Sequence, residues 1–264
     1  MDYAVEVSGL VKKYGDFAAV NDISFAVNPG EIFAFLGPNG AGKSTTIKML
    51  TTLLQPTSGR MEINGYDPVT QQDEVRKSFG IVFQDPSLDD ELTAYENMEF
   101  HGVLYGVAKE TREGRIKELL GIVELTDRKD NLVKSFSGGM KRRLEIARGL
   151  LHHPKVFFLD EPTQGLDPQT RNHIWDYIKN LSKKEGITIF FTTHYMEEAE
   201  KVAQRVAVID HGKIVTTGSP AELMTQTESA TLEEAFLKLT GHEIREEEAG
   251  AVDRMRAARR MWRH

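Results

Sequence analysis

The chain carries, at residues 37–44, the run Gly37-Pro38-Asn39-Gly40-Ala41-Gly42-Lys43-Ser44. This run fits the pattern G-x-x-x-x-G-K-[ST]. The apolar stretch Ile32–Leu36 before it has the length of a buried strand, and Ser44–Thr52 after it is predicted to be a helix. A strand, a glycine-rich turn and a helix in this order are the context that confirms a phosphate-binding loop. The alternative, a glycine-rich turn with an incidental lysine, leaves the two flanking elements unexplained.

The residue types of this loop suit a nucleoside triphosphate and its magnesium ion. Glycines let the backbone turn tightly, so that successive N–H groups point at phosphate oxygens, and the start of a helix adds partial positive charge. Lys43 supplies a full charge for the β- and γ-phosphates, and the Ser44 hydroxyl is a ligand for Mg²⁺. We therefore predict that ATP binds residues 37–44 together with Thr45, the next residue of the helix.

Short β-rich runs alternate with helical patterns along most of the chain. The predicted strands are Ala4–Val11, Ile23–Val27, Ile32–Leu36, Gly80–Phe83, Val156–Leu159, Thr188–Thr192 and Arg205–Ile209. The predicted helices are Ser44–Thr52, Ser137–His152 and Pro168–Ser182. Residues from about 89 to 151 show no strand signal, so we expect a mainly helical insert there. Strands that alternate with helices predict an α/β sheet covered by helices on both faces.

The composition excludes several classes of protein. The 264 residues include no cysteine, which excludes disulfides, thiolate metal sites and cysteine nucleophiles. A formal net charge of −7 argues against a protein that coats nucleic acid, so we expect no nucleic-acid partner. No apolar run approaches the roughly 20 residues of a spanning helix, and the N-terminus does not resemble a signal peptide. We expect any membrane role to depend on a partner.

Two adjacent carboxylates end one of the apolar strands. Asp160 and Glu161 follow Val156–Leu159 directly. Ligands of open α/β sheets bind at the carboxyl ends of the strands, so both side chains are expected beside the phosphate-binding loop. Asp160 suits a role in holding Mg²⁺, and Glu161 is placed to polarise an attacking water as a general base. The alternative is a strand that simply leaves the sheet into a polar turn.

The remaining motifs resemble those of ABC-type ATPases, over roughly residues 2–220. Ser137-Gly138-Gly139-Met140 looks like the signature motif of that family and lies about two dozen residues before Asp160. Four more positions match the family in order. Tyr14 resembles the residue that stacks on adenine, and Gln84 resembles the Q-loop glutamine. Asp167, in Gly165-Leu166-Asp167, resembles the D-loop aspartate, and His194 resembles the switch histidine.

The resemblance implies a fold and a mechanism. It implies a P-loop NTPase domain with a central, mainly parallel sheet, an antiparallel β subdomain and a helical subdomain at about 89–151. The ATP-binding domain would span residues 1–225, with a C-terminal extension over 226–264. Two chains, identical or paired, would form a head-to-tail dimer, in which each ATP lies on the P-loop of one chain and under Ser137, Gly138 and Gly139 of the other. Glu161, His194, Lys43 and Gln84 would carry hydrolysis, and Ser44, Gln84 and Asp160 would hold Mg²⁺.

The signature region departs from the family pattern, which most often reads Leu-Ser-Gly-Gly-Gln. Met140 replaces the glutamine and cannot donate its hydrogen bonds, although the backbone donors remain. Lys141, Arg142 and Arg143 follow in the first helical turn, where cations are unfavourable by a few tenths of a kcal/mol. Two interpretations stay open: a solvated basic face, or contacts with nucleotide or with a neighbouring acidic group.

This variant is similar to the drug-export branch of the family, the daunorubicin-resistance type ATPases. Residues 84–93, 161–168 and 231–241 also fit that branch. The resemblance implies an ATPase that powers export through a separate ABC-2 type permease at the cytoplasmic face of the membrane. Two alternatives are an ABC-type ATPase that acts on ribosomes or DNA, and a regulatory module that binds ATP without hydrolysis.

Two further segments allow more than one interpretation. Phe100 and Tyr105, in the helical insert, are either part of a groove for a permease helix or ordinary packing residues. The C-terminal tail changes from acidic, at residues 246–248, to arginine-rich, at residues 254–263. That tail is either a weakly helical end or a basic amphipathic segment near anionic lipid or a partner subunit.

Overall fold

The structure is a computed structural model that describes residues 3–241. The arginine-rich tail singled out above lies outside the described residues. In chain order the strands are β1 (Val5–Tyr14), β2 (Phe17–Val27), β3 (Ile32–Leu36), β4 (Ser58–Ile63), β5 (Phe79–Val82), β6 (Val156–Asp160), β7 (Thr188–Thr192), β8 (Arg205–Asp210) and β9 (Lys213–Gly218). The helices are α1 (Lys43–Leu50), α2 (Gln72–Ser78), α3 (Ala94–Leu104), α4 (Lys109–Ile122), α5 (Gly138–Gly149), α6 (Pro168–Glu185), α7 (Met196–Val202), α8 (Pro220–Gln226) and α9 (Leu232–Thr240).

The strands form two sheets. The larger has the order β5-β6-β7-β3-β8-β9, in which all neighbours pair in parallel except β8 and β9. The smaller has the order β2-β1-β4 and is antiparallel. The expected mainly parallel central sheet with an antiparallel β subdomain is therefore confirmed.

The buried apolar residues form two clusters on opposite faces of the larger sheet. One cluster lies between the two sheets and α1. Five phenylalanine rings form its centre: Phe25, Phe33, Phe35, Phe158 and Phe190. The other cluster joins the opposite face to the helices, including Ile174 and Trp175 of α6 and Leu144 of α5. Strands β3 and β6 are buried nearly throughout, which explains why their sequences are apolar without alternation.

The region between β5 and β6 is helical, as its lack of strand signals predicts. It contains α3, α4, α5 and two short 3₁₀ turns. Helix α3 begins with a capping box, in which the side chains of Thr93 and Glu96 each accept from the other's backbone N–H. Helix α5 begins after Ser137, whose hydroxyl accepts from the N–H of Met140. Local capping therefore defines where these helices start.

The last described helix packs back onto the sheet domain. Leu232 and Phe236 of α9 are buried in the same cluster as α6. The N–H of Leu232 donates to Glu200 of α7 at 2.9 Å. No helix among residues 3–241 combines the length and the apolar character that crossing a membrane requires.

Candidate active site

The loop between β3 and α1 packs so closely against neighbouring strands that two of its glycines leave no room for a side chain. Gly42 has a φ of 111°, and a Cβ atom there would lie 2.6 Å from the carbonyl oxygen of Ala19 in β2. At Gly37 a Cβ atom would lie 2.3 Å from the carbonyl oxygen of Ile209 in β8. The tight turn at residues 37–44 therefore depends on glycine at both positions.

Lys43 lies inside this loop rather than in solvent. Its Nζ donates to the carbonyl oxygens of Gly37, at 2.7 Å, and Pro38, at 3.2 Å. Burial lowers the pKa of the Lys43 ammonium, whereas the charges of Glu161 and Asp160 act to raise it. The Lys43 ammonium is a hydrogen-bond donor with a full charge, so it can also donate to anionic partners such as phosphate oxygens.

Asp160 ends β6 beside the loop, as predicted. Its Oδ1 accepts from the hydroxyl of Thr192 at 2.6 Å, and the Ser44 side chain also forms a hydrogen bond with it. Burial raises the pKa of Asp160, and these hydrogen bonds act in the opposite direction. A carboxylate and a hydroxyl brought together in this way suit Mg²⁺, which takes few protein ligands and keeps waters and phosphate oxygens as the rest.

Glu161 has an unusual backbone conformation for a non-glycine residue, with a φ of 48°. Its N–H bonds to Thr192, and its Oε2 lies 3.1 Å from Nδ1 of His194. Burial alone would raise the pKa of Glu161, but the hydrogen bond and charge of His194, with Lys43 and Arg142, lower it below the ordinary value. The carboxylate is therefore held ionised and oriented by a histidine from the neighbouring strand end.

The Q-loop position is linked to the cleft that contains this pair, and the D-loop position directly precedes Pro168, which lines that cleft. Nε2 of Gln84, after β5, donates to Oε1 of Gln164 at 2.8 Å. This cleft is lined by residues that include Gln164, Glu161, His194 and Asn39. Asp167 is exposed and caps α6 by accepting from the N–H of Thr170 at 3.0 Å. The Thr170 hydroxyl, which donates to the same carboxylate at 2.6 Å, and this N–H lower the pKa of Asp167.

The remaining predicted ligand residues are on the surface. Ser137 and Gly138 are exposed at the start of α5 and are not part of the cleft lining. Tyr14 is 52% exposed at the β1–β2 turn, with Nζ of Lys12 5.3 Å from its ring centroid. One chain thus brings Lys43, Ser44 and the two carboxylates of the β6 end together, and leaves the signature segment and Tyr14 facing solvent.

The three basic residues after Met140 do not form a solvated face. Lys141 pairs with Asp90 at 2.6 Å, and Arg143 with Glu124 at 3.3 Å. Arg142 is buried and pairs with Glu145 at 3.2 Å. Of the two open interpretations, contact with neighbouring acidic groups is correct, because each cation has a carboxylate from this chain within reach.

Glu198 is a functional candidate that the sequence analysis missed. This buried residue of α7 accepts from the hydroxyls of Thr163, at 2.6 Å, and Thr193, at 3.1 Å. It therefore ties the segment after Glu161 to the segment before His194. Its place in a helix with two other acidic residues, Glu197 and Glu200, gave no signal to distinguish it.

Comparisons with known proteins identify the family of this chain. The family profile described as ABC transporter matches residues 20–164. The chain therefore belongs to the ABC transporter family and is an ATP-binding subunit that hydrolyses ATP.

Two relatives define the neighbourhood more narrowly. The daunorubicin/doxorubicin resistance ATP-binding protein DrrA of Streptomyces peucetius is 43% identical over 229 residues, which cover 87% of this chain and 69% of that protein. The linearmycin resistance ATP-binding protein LnrL of Bacillus subtilis (strain 168) is 40% identical over 228 residues, which cover 86% and 73%. Both names describe resistance ATP-binding proteins.

Two solved structures have the same fold. An ATP-binding subunit of an ABC transporter superposes with a TM-score of 0.82 at 31% identity, covering 89% of this chain and 99% of the other. A dimeric ATP-binding cassette in a post-hydrolysis state, bound to ADP and Pi, superposes with a TM-score of 0.73 at 28% identity, covering 81% and 98%.

Proposed function

We propose that this chain powers export of a small molecule through a separate membrane permease of the ABC-2 type, and that it acts at the cytoplasmic face of the membrane through that permease. The observation that carries the catalytic part is the Glu161–His194 contact beside the buried Lys43 and the Asp160–Ser44 pair. The names of the relatives, which are resistance ATP-binding proteins, support export.

We also propose a division of the chain. Residues 1–225 form the ATP-binding domain, with a helical subdomain at about 89–151, and residues 226–264 form a C-terminal extension.

We propose a role for each residue of the site. The backbone N–H groups of residues 37–45, which Pro38 lacks, and the Lys43 ammonium bind the β- and γ-phosphates. Ser44, Asp160 and Gln84 would hold Mg²⁺, which would neutralise charge on the phosphates. Glu161 accepts the proton of the attacking water, and its lowered pKa keeps it unprotonated for that purpose. His194 orients the Glu161 carboxylate and the γ-phosphate.

A second copy completes the site. Ser137 and the Gly138 and Gly139 amides lie at the exposed start of a 12-residue helix, where backbone N–H groups and the helix dipole favour an anion. Because this surface is not part of the chain's own cleft, we propose that it covers the γ-phosphate bound by a partner ATPase subunit. Tyr14 stacks on the adenine, and Asp167 lies at the interface. ATP binding then joins two subunits, and hydrolysis releases them.

The permease would dock on the exposed apolar face of α3. Phe100, Val103 and Leu104 are 67%, 57% and 71% exposed, and their i, i+3, i+4 spacing places them on one side of the helix. Tyr105, by contrast, stacks on His152 with ring centroids 4.0 Å apart. We therefore assign Phe100 to the docking surface and Tyr105 to internal packing.

The proposal is tested by measuring ATPase rate against concentration of the purified chain, without a membrane partner. A shared site predicts a rate that rises faster than linearly until the dimer saturates. A linear rate with substantial turnover, from a protein that remains monomeric in MgATP by size-exclusion chromatography with light scattering, would contradict the composite site. Copurification of the full chain with an ABC-2 type permease, and loss of that complex in Phe100→Asp, tests the export role.

A further inference from the structure

Arg142 makes more contacts near the active site than any assigned role requires. It is 8% exposed on α5, five residues after the signature serine. Its Nε donates to the carbonyl oxygen of Pro162 at 2.6 Å, and its Nη2 donates to those of Glu161, at 2.8 Å, and Asp160, at 3.2 Å. Its Nη1 donates to the carbonyl oxygen of Phe83 at 2.5 Å and to the Glu145 carboxylate at 3.2 Å.

These contacts use the full donor capacity of a guanidinium, which has five N–H groups in a planar fork. Four of the five acceptors are backbone carbonyls in two segments: residues 160–162, where β6 ends, and Phe83, the residue before Gln84. Such carbonyls have lost their sheet partners where the chain leaves the strands, so they need another donor when buried. A lysine ammonium has three donors around one point and cannot span both loops.

Glu145 extends the same link to the rest of the Q-loop. This carboxylate is 2% exposed, pairs with Arg142 through Oε2, and accepts from the N–H of Ser87 at 2.7 Å through Oε1. One buried ion pair on α5 therefore holds the backbone on both sides of Gln84 and the backbone that carries Glu161.

The conformation of Glu161 shows why it needs such support. A φ of 48° is sparsely populated for a side chain of this kind, and it persists only where the surroundings over-determine it. Three groups do so here: Thr192 binds the N–H of Glu161, and both Arg142 and the N–H of Gln164, the latter at 3.3 Å, donate to its carbonyl oxygen. Only Arg142 also contacts the Q-loop and belongs to the helix that begins at the signature motif.

We propose that Arg142 is a positioning residue for ATP hydrolysis, which fixes Glu161 and the Gln84 loop to helix α5 so that all three move as one unit. This inference rests on the assignment of Glu161 as the general base, proposed above. Since Arg142 makes no contact with the P-loop residues that bind ATP, its loss reduces turnover and not nucleotide affinity.

The test compares Arg142→Lys with Arg115→Lys in the full chain. Arg115 is a matched control because it is equally buried, pairs with Glu118 and Glu185, and donates to the carbonyl oxygen of Leu150, outside the site. We expect Arg142→Lys to lower kcat on the order of 10²-fold, as a small misplacement of a reacting group does. The Kd for ATP should stay within about threefold of wild type, well below the loss that one charged hydrogen bond to the nucleotide would cause.

A purely structural role and a positioning role differ in how the loss divides between folding and turnover. A structural role predicts that kcat falls only as far as the folded fraction and Tm fall, in Arg142→Lys as in Arg115→Lys. A positioning role predicts that Arg142→Lys loses kcat while it is fully folded, with a Tm and a KM for MgATP close to those of Arg115→Lys. Equal kcat for Arg142→Lys and Arg115→Lys, or a parallel loss of affinity and kcat, would overturn the inference.

Two additional variants keep the outcome decisive. If Arg142→Lys does not fold, Glu145→Gln replaces it, because this substitution preserves the shape of the side chain and the Ser87 contact while weakening the ion pair. Glu145→Gln should lower kcat and leave the affinity for ATP unchanged. An unchanged kcat would count against the positioning role.

Glu161→Gln separates the two proposals. If Glu161→Gln loses turnover and Arg142→Lys keeps full kcat, the positioning role of Arg142 is rejected and the assignment of Glu161 as the base stands. If Glu161→Gln still turns over ATP, the assignment of Glu161 as the base is rejected.

Discussion

His194 Nδ1 lies 3.1 Å from Oε2 of Glu161, although the two residues are 33 positions apart in the chain. They meet because β6 and β7 are parallel neighbours, with Asp160 paired to Thr192, so both residues leave the sheet at the same edge. The chain thus builds a carboxylate–imidazole pair from two strand ends, next to the loop that follows β3.

This pair predicts a pH effect. Hydrogen bonding to His194 helps lower the pKa of Glu161, so the base stays ionised to lower pH than an ordinary glutamate. Removing the imidazole in His194→Ala raises that pKa, and the acid limb of the kcat/KM profile should move to higher pH. His173→Ala, an exposed histidine on α6, serves as the control. An unmoved acid limb in His194→Ala would show that another group titrates there.

Glu161→Gln should separate binding from turnover. The substitution keeps the size of the side chain and removes its capacity to take a proton, so kcat should fall by about 10²–10⁴-fold. ATP affinity should be retained, because the P-loop is unchanged, and the protein should accumulate as a dimer in saturating MgATP. Sedimentation velocity checks this, and a Glu161→Gln protein that stays monomeric would contradict the composite site.

Lys43→Ala should weaken nucleotide binding. A hydrogen bond to a charged group contributes about 1.5–3 kcal/mol, so the Kd for ATP should rise by roughly 10- to 150-fold in isothermal titration. Lys48→Ala is the matched control, because Lys48 is on the same helix and exposed. Equal affinities of the two variants would refute the assigned role of Lys43.

Asp160→Asn should lose activity without losing stability. Burial raises the pKa of Asp160, so its ionised form costs folding free energy that appears as pH rises through the ordinary aspartate range. The neutral amide avoids this cost: Tm at pH 7 should be equal to or above that of wild type, and the difference should shrink in acid. MgATP hydrolysis should fall by at least about 10²-fold. A clearly lower Tm at pH 7 would mean that the Thr192 and Ser44 contacts outweigh burial.

Phe190→Ala should destabilise the fold strongly. Phe190 is fully buried between the sheets, with ring centroids 5.6 Å from Phe33 and 5.5 Å from Phe158. The lost packing and the cavity should lower the free energy of unfolding by about 3–5 kcal/mol in chemical denaturation. Phe100→Ala, at an exposed position, should change it by about 0.5 kcal/mol or less.

Sequence patterns identified the central strands and missed two others. Ile32–Leu36 and Thr188–Thr192 were predicted with the bounds that the structure has, because burial on both faces makes such strands apolar throughout. Strands β4 and β9 gave no clear signal. Each lies at the edge of its sheet and exposes much of its length, so its residues are not selected by burial.

The sequence by itself determined which chemical groups belong to the candidate site. Spacing within short segments identified Lys43, Ser44, Asp160 and Glu161, because a phosphate-binding loop and a strand-end carboxylate each need their residues close together in the chain. The tertiary structure alone decided what surrounds them. The backbone conformation of Glu161, the burial of Arg142 and the Thr163–Glu198 contact depend on residues 18 to 59 positions apart. Contacts between such distant segments leave no periodic trace in the sequence.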